Sequence, residues 1–152
     1  PKVIREIFPN AKIVIDRFHV QKLVNKSLNK IRLNLNLKGL KNKFLLTSNK
    51  INLTLEEQTE LELLLQASPC LRIAHELKEE LIGIYNSQIT SRGGMRKINK
   101  WLKIARIMFS NAADTIDSHL EGICNYFNNR TTSGARTPLS PDVKSATRQW
   151  SN

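Results

Sequence analysis

No run of about eighteen apolar residues occurs in this sequence. The longest apolar stretches lie near Ile13 to Ile15 and Leu63 to Leu65, which excludes a helix able to cross a bilayer. Cysteine is scarce: Cys70 and Cys124 stand far apart with no CxxC spacing, so neither a zinc cluster nor a disulfide framework is indicated, and reduced thiols in a cytoplasmic protein are expected. The opening, Pro1-Lys2-Val3-Ile4-Arg5-Glu6, has neither an initiator Met nor the layout of a signal peptide, and it reads as the interior of something longer. Carboxylates are missing from two long stretches. Arg17 to Leu55 holds nine basic residues and no acidic one, and Leu81 to Ala113 holds Arg92, Arg96, Lys97, Lys100, Lys103 and Arg106, again with no acid.

What is present is a 152-residue chain with 40% hydrophobic residues, enough for one ordinary domain with a core. Its formal charge is +11, and seven of its 13 carboxylates crowd between Glu56 and Glu80. Segregation of this kind matters more than the total, because a fold that brought the two acid-free stretches onto one side would offer a polyanion-binding surface.

Lys12-Ile13-Val14-Ile15, preceded by the turn signal Pro9-Asn10 and ended by Asp16, is the best strand candidate. A helix follows, with Phe18 near its start, Val20, Leu23, Val24, Ser27, Leu28 and Ile31 at helical spacing, and Lys22, Lys26 and Lys30 on another face. Residues 34 to 52 are mixed, with Gly39 as punctuation and a short extended piece suggested at Lys43 to Leu46. Thr54-Leu55-Glu56-Glu57 has the form of a capping box whose helix runs to about Gln66, and Ser68-Pro69 opens another through roughly Asn86. Arg92-Gly93-Gly94 is expected to break the chain. Met95, Ile98, Trp101, Leu102, Ala105 and Met108 then form the apolar stripe of a basic helix, with Trp101 in the core. A last long helix is expected from Asn111, with Ile116, His119, Leu120, Ile123 and Phe127 on one face. From Thr131 the composition turns to Thr, Ser, Gly and Pro, and Pro138 and Pro141 oppose further helix.

The ordered phrases Phe8-Pro9-Asn10-Ala11-Lys12-Ile13-Val14-Ile15-Asp16-Arg17-Phe18-His19-Val20, Lys22-Leu23-Val24-Asn25, His119-Leu120-Glu121-Gly122-Ile123 and Tyr126-Phe127-Asn128-Asn129-Arg130-Thr131-Thr132-Ser133-Gly134 resemble one family. It is the ISL-three group of DDE-type insertion-sequence transposases. The resemblance implies a mostly α chain: a fragment of a ribonuclease-H-like α/β catalytic domain, with a helical insertion and one or two short strands. A partial transposase domain would cover 1–134, and 135–152 would form a divergent, irregular tail. In intact relatives the implied chemistry is DNA strand cleavage and transfer by two Mg²⁺ ions held by three carboxylates. Asp16 matches the second carboxylate and would be catalytic as a metal ligand. An Asp placed after a strand is ordinarily a helix cap, and only the surrounding phrase makes it a site residue. His19 matches the phrase too and is read as packing beside the site, whereas His75 has no motif support and reads as an ordinary helix residue.

The family's first acid lies upstream of the match, and its third should follow Ser133-Gly134. That place reads Ala135-Arg136-Thr137-Pro138, so Thr137 stands where the Glu would be, and Asp142 is the sole acid beyond Glu121. Lys144 and Arg148-Gln149 are faintly similar to the family's basic helix. The expectation is therefore an inactive transposase piece that binds no Mg²⁺ productively. DNA (transposon ends) would be its partner through Arg17, Lys22, Lys26, Lys30, Arg96, Lys97, Lys100 and Arg130. Self-association, but no membrane partner, and a cytoplasmic or nucleoid location complete that expectation. The alternatives are a stand-alone basic helical nucleic-acid-binding protein without catalysis, and a translated remnant that binds DNA only nonspecifically.

Overall fold

Side-chain caps mark where four of the helices begin. The computed structural model describes residues 6–7 and 12–130. Helix α1 is Arg17–Asn34, α2 Leu40–Thr47, α3 Leu55–Leu65, α4 Pro69–Asn86, α5 Ser91–Met108, α6 Ser110–Ser118, α7 Leu120–Cys124 and α8 Tyr126–Asn129, with a single 3-10 turn at Lys50–Asn52. Asp16 caps α1 by accepting from the Phe18 N–H, and Ser68 and Thr90 cap α4 and α5 in the same way at Leu71 and Gly93. Thr54 and Glu57 form the expected capping box: Glu57 N–H donates to Thr54 Oγ1 at 3.2 Å, and Thr54 N–H to Glu57 Oε2 at 2.8 Å. Each cap satisfies an otherwise orphaned first-turn N–H.

Helix α4 packs on α1, α3 and α5, while α6 packs on α1 and α5, so α1, α4, α5 and α6 close a ring around the core. Val20, Val24 and Leu28 of α1 meet Leu71, Ala74, Leu77, Leu81 and Tyr85 of α4, Ile98, Trp101, Leu102 and Ala105 of α5, and Ala113 and Ile116 of α6 in one buried cluster. Trp101, 1% exposed, donates from Nε1 to Leu77 O at 2.8 Å; it is core, as its place in the stripe requires. Among the described residues no helix is long and apolar enough to cross a membrane. Cys124 is buried and Cys70 exposed, and neither is in a disulfide.

Several expectations fail. The fold is mostly α as expected, but no strand is present among the described residues. Lys12 to Ile15 is neither helix nor strand and leads into Asp16, whose backbone is extended, with no ladder partner among the described residues. The supposed extended piece at Lys43 to Leu46 lies inside α2, where Leu45 and Leu46 are buried. Arg32, a buried side chain, donates to Leu37 O at 2.6 Å and Gly39 O at 3.2 Å in the turn before this helix. Gly39, at φ 114, makes the turn that returns the chain as α2. Arg92-Gly93-Gly94 does not break the chain but forms the first turn of α5, where the Thr90 cap offsets the low helix propensity of glycine. The last long helix is three pieces, interrupted at His119 and Asn125. Thr131 to Asn152, including Thr137 and Asp142, lies outside the described residues.

Lys78 is the least foreseen core residue. It is 2% exposed, and its Nζ donates to Leu46 O at 2.9 Å and to Ser48 O, and pairs with Glu79 Oε1 at 2.8 Å. Glu79 also accepts from the Lys50 N–H at 3.0 Å, so α4 holds the end of α2 and the 3-10 turn together. Burial, opposed by Glu79, lowers the Lys78 ammonium from its usual range. His75, one turn earlier, is buried with Nε2 lacking a hydrogen-bond partner, and lies 3.8 Å from Glu79 Oε1. Burial, reinforced by Lys78, pushes its imidazole down to about 4 from 6.5. The unfolded chain therefore binds a proton in that interval that the folded chain does not. Stability should decline as pH falls from about 6.5 to about 4, by on the order of 3 kcal/mol from this residue. Urea unfolding across that range, compared with His75→Gln, measures the contribution: the variant should show a flatter pH dependence.

Candidate functional site

The expected metal ligand is the last residue of the extended segment. Val14 and Ile15 are buried β-branched residues that draw the segment into the core, and Asp16 follows at 7% exposure. Backbone groups taken out of water need partners, and two of these come from the distant turn at Gly122 and Asn125. Ile15 N–H donates to Gly122 O at 2.9 Å, and Asn125 Nδ2 donates to Ile13 O at 2.9 Å. Gly122 is where the approach is closest: a Cβ there would lie 3.1 Å from Ile15 Cδ1. The phrases that carry the resemblance, distant in sequence, thus meet in space.

Around this junction the aromatic residues Tyr126 and Phe127 pack on α4. The Tyr85 ring meets Tyr126 edge-on at 5.4 Å and stacks with Phe127 at 5.7 Å. Its hydroxyl is buried without a hydrogen-bond partner, and burial pushes the phenol far above its usual range, aided by Cys124, Tyr126 and Asp16. Burial likewise pushes the Cys124 thiol up to about 11. Arg17 Nη1 donates to Asn86 Oδ1 at 3.1 Å, and Arg130 Nη2 donates to Ser87 O. Both arginines thereby reach the C-terminal end of α4.

The Asp16 carboxylate accepts from the Phe18 N–H at 2.9 Å, the cap geometry that such a position ordinarily has. His19 is half-buried beside it. Among the described residues no three His, Cys, Asp or Glu side chains gather as a metal-holding group. A metal pair needs several anionic oxygens, so this donor set does not fit the two Mg²⁺ ions that the resemblance implies.

The basic residues fall into separate groups. Lys22, Lys26 and Lys30 are exposed one turn apart on α1, in line with exposed Phe18. Arg96, Lys97 and Lys100 are exposed on α5. Helices α4 and α6 each pack on both α1 and α5, so the two groups stand on helices separated by others rather than side by side. Arg106 is engaged with Asp114 and Asp117. The residues that sequence reasoning missed are Tyr85, Asn86, Ser87 and Asn125. Asn125 sits between the quoted phrases, and the α4 residues carry no motif.

Gly94 packs against the Phe127 ring. A Cβ at Gly94 would lie 2.4 Å from Phe127 Cδ2 and Cε2. Gly94→Ala should destabilise the chain by roughly 1–3 kcal/mol, although alanine is the better helix former. Chemical denaturation measures this, and a stabilised variant would contradict the packing.

The sequence profile of a family described as transposase, the DDE type of the ISL-three group, matches residues 1–146. No curated protein and no solved structure matches the chain. With the profile spanning nearly its whole length, and with the phrases that define the resemblance in direct contact, the chain belongs to the DDE transposase family.

Proposed function

We propose that this chain is a piece of a DNA transposase that supplies the second of three carboxylates, Asp16, together with the helical insertion following it, and that it does not itself cut or join DNA. The observation that carries the proposal is the junction of Ile13 and Ile15 with Gly122 and Asn125. Asp16, read as the family's candidate ligand, follows this junction, buried at the start of a basic helix, and this supports the reading. In intact relatives a bound Mg²⁺ pair would activate the attacking oxygen and stabilise the leaving one. Here Asp16 supplies one carboxylate, and Thr137 stands where the third would be. A neutral hydroxyl is no substitute for an anionic ligand. Partial transposase sequence over 1–134, ribonuclease-H-like ancestry and a divergent segment over 135–152 belong to the same proposal.

DNA is the partner, held through phosphates. Lys22, Lys26 and Lys30 make one contact line on α1, and Arg96, Lys97 and Lys100 make another on α5. Regularly spaced exposed ammonium and guanidinium groups, with no carboxylate on either helix, support this. Such binding is electrostatic and weakens steeply with salt.

A triple variant, Lys22→Ala, Lys26→Ala, Lys30→Ala, should weaken binding to any duplex. It should also reduce the slope of log affinity against log salt by up to about 3. Asp16→Ala should leave that binding unchanged. Incubation of the wild-type chain with duplex and Mg²⁺ should yield no nicked or joined product. Mg²⁺-dependent nicking that disappeared in Asp16→Ala would overturn the inactive reading, and an unchanged salt slope in the triple variant would remove α1 from the DNA path.

A further inference from the structure

Arg130 was assigned to DNA on its sequence alone, yet the residue is half-buried and its guanidinium is engaged within the protein. Its guanidinium donates to Ser87 O at the end of α4, and its own N–H donates to Tyr126 O at 2.6 Å, closing the short α8 with φ 43. The contacts made between Gly122 and Phe127 point to the same task. Gly122 O receives the Ile15 N–H, the Asn125 amide donates to Ile13 O, and Tyr126 and Phe127 lock onto Tyr85. We infer that Gly122 to Arg130 forms a clamp that positions Asp16, with Asn125 as its principal positioning residue and Arg130 tying the clamp to α4 rather than to DNA phosphates.

An extended segment normally has its register set by a neighbouring strand, whose N–H and C=O groups alternate along the edge. Among the described residues no strand is present. A helix-end carbonyl and one side-chain amide supply the two bonds on successive odd residues, Ile13 and Ile15. Those bonds fix the segment one residue before Asp16, and the Asp16 carboxylate then receives the Phe18 N–H. Asn125 suits this place because its amide donates where the Ile13 carbonyl needs a donor. An aspartate of the same shape would set oxygen against oxygen.

This inference rests on the reading of Asp16 as the family's ligand position, but its main test, at Asn125, requires neither metal nor DNA. Amide hydrogen exchange would be followed residue by residue in the whole chain, for wild type, Asn125→Ala and Asn125→Asp. Both variants should speed exchange at Ile15 and Phe18 by roughly tenfold or more while amides in the middle of α3 and α4 keep their rates. Arg130→Ala should loosen the same amides and leave the salt slope of duplex binding as in wild type. Unaltered exchange at Ile15 in both Asn125 variants, or a uniform loss of protection across the chain, would overturn the clamp. A salt slope reduced by about one in Arg130→Ala would return that residue to the DNA path. Failure of the DNA or Mg²⁺ experiments would leave the exchange results standing.

Discussion

An extended segment carried into a helical core must find partners for its backbone N–H and C=O groups, since each one left unpaired in an apolar surrounding costs about 1–3 kcal/mol. In this chain two of these groups are satisfied by the Ile15 N–H to Gly122 carbonyl bond and by the Asn125 amide on the Ile13 carbonyl. Much else follows from that requirement. The helix that would otherwise run on from Ser110 is interrupted at His119 and Asn125, which leaves Gly122 close enough to receive the segment. Tyr126 and Phe127 turn onto Tyr85, and Gly94 keeps room for the Phe127 ring.

Charge follows a different rule from packing. The acid-free stretches fold into α1 and α5, and the ring of four helices keeps those two apart with α4 and α6 between them. Cations that do enter the interior serve carbonyls. Arg32 binds Leu37 O and Gly39 O to shape the turn before α2, and Lys78 gathers Leu46 O and Ser48 O at its end. Helix C-terminal carbonyls carry partial negative charge, which favours a cation there. A high count of basic residues therefore overstates the surface available to a polyanion, because part of it is spent inside the fold.

Legibility in the sequence tracked how local each cause was. The Thr54 capping box, the Ser68-Pro69 start of α4 and the core place of Trp101 depend on residues a few positions apart, and all were readable. The segment at Lys12 to Ile15 has the composition of a strand, but a strand is defined by its neighbours, and those belong to distant sequence. Gly93 and Gly94 resembled a break because their usual effect is to weaken helices. The close approach of Phe127, which rewards a missing side chain at Gly94, lies over thirty residues away and leaves no local mark. Asp16 was found through the family phrase, and its cap geometry through the simple rule for an acid before a helix. Asn125, Tyr85 and Ser87 were not found because what they do is visible only once the two phrases meet.

The central claim is that the Asp16 segment is seated on the Gly122 to Asn125 turn. Isotope-edited NMR of the labelled chain tests it directly, through cross-relaxation between the Ile15 amide proton or methyl groups and the Gly122 α protons. Strong cross-peaks at that pair are expected, given the 2.9 Å bond between Ile15 N and Gly122 O. Their absence, with Ile15 instead showing cross-strand peaks to another extended segment, would contradict the account.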